Sequence, residues 1–82
     1  LNQNRAENQQ VSGTTLTVSA NTVNSLAVAV TSGSVTITAN GSSVTYSSGQ
    51  TVQWTAPNPC EYLTNTITID ATSGTALVAT IK

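Results

Sequence analysis

Residues 63–82 alternate in chemical character at almost every step. Leu63, Ile67, Ile69 and Ala71 hold odd positions, whereas Thr64, Thr66, Thr68 and Asp70 hold even ones. A period of two is what an extended strand shows to its two faces; a helix would bring apolar residues together every three or four positions. Thr72-Ser73-Gly74 interrupts the pattern with small turn formers, and alternation resumes through Leu77, Ala79 and Ile81. The stretch predicts a β-hairpin with those three residues inward. Ala76 and Val78 make the other face of the second strand apolar too. That strand is therefore expected to be central or to carry a partner on Ala76 and Val78.

The same rhythm runs back through the chain. Leu16, Val18 and Ala20 alternate with polar residues in a first strand, and Leu26, Val28 and Val30 alternate with Ala27 and Ala29 in a second, two-sided apolar one. Ser32-Gly33 reads as a turn before residues 34–39, where Val35 and Ile37 point inward. Asn40-Gly41 is the strongest hairpin signal, because both residues tolerate the positive φ of a type I′ turn. Val44 and Tyr46 mark the core side of the next strand, and Val52 and Trp54 that of the one after Ser48-Gly49. Pro57 and Pro59 then break the ladder and make residues 56–62 a loop. The expected fold is all-β: a small antiparallel β-sandwich, Ig-like or jelly-roll-like, of about seven short strands over residues 12–82.

Residues 1–11 are polar, have almost nothing to bury and lack a helical stripe. They are expected to form an extended N-terminal arm. Ordering ten such residues costs on the order of 10–20 kcal/mol of backbone entropy, so something is expected to hold the arm: the same domain, a symmetry mate or a larger partner. Leu1 and Arg5 are its natural anchors, one apolar and one able to hydrogen-bond bidentately.

Charge is scarce. Only 6% of the 82 residues are charged, against roughly 25% in an ordinary soluble domain. Exposed sheet edges are usually protected by charge, and the strands between residues 12 and 55 have none. Edges covered by assembly, as in a homo-oligomer, are one solution; a surface domain with solvated threonine strands is the other. With Arg5 and Lys82 as the sole cations, phosphate neutralisation is out of reach, so nucleic acid is not an expected partner. No apolar run approaches the roughly 18–20 residues of a membrane helix, and membrane insertion is not expected. One cysteine, no histidine and three scattered carboxylates leave no basis for an internal disulfide, a metal site or a cofactor.

Those residues also leave no catalytic constellation. Acid–base and nucleophilic chemistry need titratable groups set against one another, and none can be assembled locally here. Cys60 beside Glu61 has a thiolate-disfavouring neighbour and reads as a small buried hydrophobe, with an interchain disulfide as the alternative. Trp54, Asn58, Glu61 and Tyr62 group around the proline loop and would suit a sugar ring, although aromatics packed inward explain them more simply. The recurring Thr-X-Thr pairs have no regular spacing and read as the outer face of a sheet. Asn40-Gly41-Ser42 matches a glycosylation acceptor, but its place between strands accounts for it as a turn.

The segments Thr-Ile-Thr-Ile-Asp-Ala-Thr-Ser-Gly-Thr-Ala and Ser-Gly-Ser-Val-Thr-Ile-Thr-Ala-Asn-Gly, together with a polar arm leading into an uncharged β-domain, resemble the Ig-like and jelly-roll modules of tailed-phage virions. These are head decoration proteins, head fibres and tail-fibre domains. The paired cysteines of an antibody domain are missing, because Cys60 has no second cysteine. The resemblance implies a non-enzymatic structural protein at the virion surface, docking onto a capsid or other virion protein through its arm. The alternative is a binding module of a secreted or cell-surface protein, an adhesin or carbohydrate-binding domain with its site at Trp54 and Tyr62.

Overall fold

The computed structural model describes residues 5–82, which form an antiparallel sheet curled on itself, with no helix among them. In chain order its strands are β1 (Ala6–Ser12), β2 (Thr15–Val18), β3 (Ser25–Ala39), β4 (Ser42–Ser47), β5 (Thr51–Thr55), β6 (Ile67–Asp70) and β7 (Gly74–Ile81). The 15-residue β3 is the spine. Along one edge it pairs first with β7 and then with β6; along the other it pairs first with β5 and then with β4. β1 continues the sheet beyond β7, and β2 beyond β6. Two limbs result, β1-β7-β3-β5 and β2-β6-β3-β4, sharing one bent strand.

The bend is set by sequence. Leu26, Val28 and Val30 are buried from even positions, whereas Val35 and Ile37 are buried from odd ones. The register against β7 shifts between Val30 and Ser32, and such an irregularity re-aims every later side chain. Ser32-Gly33, expected to be a turn between two strands, is instead this kink inside a single strand. Gly33 adopts φ 66° and pairs with Gly74. A side chain on Gly33 would run into the Ser73 carbonyl, and one on Gly74 would sit 2.5 Å from the Ser32 carbonyl oxygen. The Asn40-Gly41 turn forms as expected, with φ 51° and 78°, and joins β3 to β4.

Leu26, Ile37, Ile67, Ile69, Val11, Val28 and Val35 are the largest fully buried side chains. Val11 corrects the arm. Its burial, and the pairing of Ala6–Ser12 with β7 from Ala6↔Ile81 to Ser12↔Thr75, make the second half of the expected arm a strand of the sheet. Without it the outer edge of β7 would present unpaired backbone groups, and those ladder bonds offset the entropy of ordering a polar segment. Arg5 extends the ladder: its amide donates to the Lys82 carbonyl at 3.1 Å, and the Lys82 amide donates to the Arg5 carbonyl at 2.9 Å. Leu1, the other expected anchor, lies outside the described residues.

β7 requires a second correction. Ala76 and Val78, expected on the partner-facing side, are buried at 0% and 2% exposure, while Leu77 and Ile81, expected in the core, are 50% and 38% exposed. Cross-strand register decides this. Val78 stands opposite Val28 and Ala76 opposite Val30, so they share the inner face of β3, and Leu77 and Ala79 stand opposite Ala29 and Ala27 on its outer face. Val44 also departs from expectation: it pairs with Ile37, but on an edge strand it stays 50% exposed.

Candidate interaction surface

Register alone builds the outer face of the first limb. Reading across β1, β7, β3 and β5, one row is Ala6, Ile81, Ser25, Thr55; the next is Asn8, Ala79, Ala27, Gln53; the third is Gln10, Leu77, Ala29, Thr51. The two central strands thus contribute Ile81, Ala79, Leu77, Ala27 and Ala29, and the flanking strands contribute uncharged amides and hydroxyls. None of the twelve positions is charged. Alanines form a low floor beside Leu77, and the sheet's twist turns it into an open groove of about 450 Å³. An apolar centre rimmed by neutral hydrogen-bonding groups is the anatomy of a contact surface. It contains no titratable group.

The two-sided apolar pattern of residues 26–30 was a visible signal for this face. In β7 the signal was also present, but it named the wrong alternate residues, Ala76 and Val78 instead of Leu77, Ala79 and Ile81.

The proline loop is organised by a residue that sequence reasoning passed over. Asn24, buried at 8% exposure, donates from Nδ2 to the carbonyls of Asn58 and Glu61, each at 2.8 Å. Asn58 Nδ2 donates to Glu61 Oε1 at 2.8 Å, and Asn58 Oδ1 accepts from the Cys60 amide at 2.9 Å. Of the four expected ligand residues, Asn58 uses both side-chain polar atoms, and Glu61 one carboxylate oxygen, to hold the loop. Trp54, opposite Leu26, is half-buried against the core, and Tyr62 is exposed. Nothing in residues 19–24 distinguished Asn24 from an ordinary turn asparagine.

Two carboxylates are held by local partners. Glu7 lies between both cations, with its Oε1 3.1 Å from Lys82 Nζ and its Oε2 3.3 Å from Arg5 Nη2. The hydrogen bond and charge of Lys82, helped by Arg5, hold its pKa below the usual glutamate value. Arg5, expected to be a docking anchor, thus pairs with Glu7 of the strand it leads into. Asp70 Oδ1 accepts from Thr72 Oγ1 at 2.7 Å and from the Thr72 amide at 3.1 Å, which closes the β6–β7 turn and lowers its pKa. Cys60 is exposed. No group of three metal-ligating side chains occurs among the described residues.

No family model matches the chain, and no curated protein matches it in sequence. Solved structures do resemble it. A de novo designed double-stranded β-helix superposes with a TM-score of 0.61 at 11% identity, covering 95% of this chain and 99% of that one. The Clostridium difficile EutQ protein superposes with a TM-score of 0.61 at 17% identity, covering 94% of this chain. This chain spans 55% of the EutQ chain. At such identities the likeness is one of fold.

Proposed function

We propose that this chain is a non-enzymatic structural module of a larger assembly, with a virion surface as its setting, and that it acts through the surfaces it presents. The observation that supports this most is the uncharged, apolar outer face of the first limb. A freely soluble domain would be expected to interrupt such a face with charge. The virion setting rests on the sequence resemblance to decoration and head-fibre modules, and docking onto a capsid or other virion protein rests on the first residues. In its finer architecture we read the two limbs as facing layers of a jelly-roll-like sandwich. An Ig-like arrangement is disfavoured by the single strand β3 that serves both layers.

The test is attachment to particles from the protein's source. A variant lacking residues 1–4 keeps the whole of β1, so docking is separated from folding. The full chain is expected to cosediment with particles, and the shortened chain to stay in the supernatant with an unchanged melting temperature. Cosedimentation of both would remove the arm from the reading, and cosedimentation of neither would remove the virion.

A further inference from the structure

Resting on that reading, we infer that the occupant of the outer face is a second copy of this chain, packed sheet to sheet about a twofold axis. Charge supports it first. A face with no ionic group meets itself without repulsion and without an unpaired buried charge, whereas a partner chosen by electrostatics would find nothing here to read. Relief supports it next. Leu77 stands 50% exposed beside the low floor of Ala27, Ala29 and Ala79. In a face-to-face pairing with the aligned geometry of packed sheets, Leu77 of each copy fills the groove over the alanines of the other. The rim amides of Asn8 and Gln53 can both donate and accept, so they too can bond to their own kind.

Size sets the strength. Five to eight residues of strand at about 3.4 Å and four strands at about 4.8 Å make a face of roughly 330–500 Å². Two such faces bury roughly 650–1,000 Å², below the usual size of a specific interface and in the range of weak, transient association. The dimer is accordingly weak, with a dissociation constant on the order of micromolar.

Sedimentation of the purified chain without particles, under reducing conditions so that Cys60 cannot cross-link, tests this. From about 1 to 500 μM the wild type is expected to pass from monomer to dimer. With the twofold axis passing beside Leu77, the two copies' residues 77 are neighbours over the alanine floors, so Leu77→Asp brings two carboxylates together and is expected to weaken association at least about tenfold. An equimolar mixture of Leu77→Asp and Leu77→Lys is expected to recover it. Val44→Asp, on an exposed apolar side chain of the other limb, is expected to behave as wild type. A wild type that stays monomeric, a Leu77→Asp chain that dimerises as wild type does, or a mixture that fails to associate would each overturn the inference. Particle attachment of the full chain is measured separately, so loss of the dimer and loss of the assembly reading are distinct results.

Discussion

Gly74 shows how one missing side chain decides the course of two limbs. It sits where β7 crosses the kink of β3, and a Cβ there would lie 2.5 Å from the Ser32 carbonyl oxygen and 2.7 Å from both Ser34 N and Ser34 O. These neighbours are all backbone, so relief requires the strands themselves to move. Gly74→Ala is expected to destabilise the fold by about 1–3 kcal/mol, read as a lower denaturant midpoint at unchanged slope. A midpoint equal to wild type would mean that the corner is looser than its contacts imply. Sequence marked this glycine as a turn former. That it also permits a close approach depends on Gly33, 41 positions earlier, and no local pattern carries that information.

Among the elements, loop 56–62 depends most on a single distant contact. Its prolines announce a break in the ladder, but its shape comes from Asn24, whose amide bonds two carbonyls of the loop at once. Asn24→Ala is expected to cost about 1–2 kcal/mol and, more specifically, to speed hydrogen exchange at the Cys60 and Glu61 amides while leaving β3 and β7 protected. Unchanged exchange in the loop would show that Asn58 and Glu61 suffice. Strands were legible in most places where one face was polar, although the alternation that begins at Leu63 becomes a strand only over Ile67–Asp70. Ile67 and Ile69 against Thr66 and Thr68 left no doubt about the inner side, and both isoleucines are buried. In β7 both faces are apolar, and alternation alone could not say which was covered. Trp54, half-buried on the edge strand β5, supports the core reading of that side chain without making it the centre of the fold.

For the whole molecule, acid is the informative variable. Glu7 and Asp70 both have lowered pKa values, through Lys82 and Thr72 respectively. A carboxylate whose folded pKa lies below its unfolded one contributes stability above the unfolded value and loses it as pH falls through the folded value. The melting temperature is therefore expected to be level from about pH 7 to 5 and to fall below about pH 4. Glu7→Gln is expected to flatten part of that fall, and an unaltered acid limb would show that the link between Lys82 and the first strand adds nothing. Alternation and turn residues in the sequence by themselves determined an all-β chain, most of the strands and turns, and a surface almost without charge. Three matters were decided only by tertiary structure: the recruitment of Ala6–Ser12 as a strand, the passage of β3 through Gly33, and the outward turn of Leu77. The physical reason is common to all three. A period of two defines two faces, but a strand edge finds its partner, and an apolar face its cover, through residues far away in the chain.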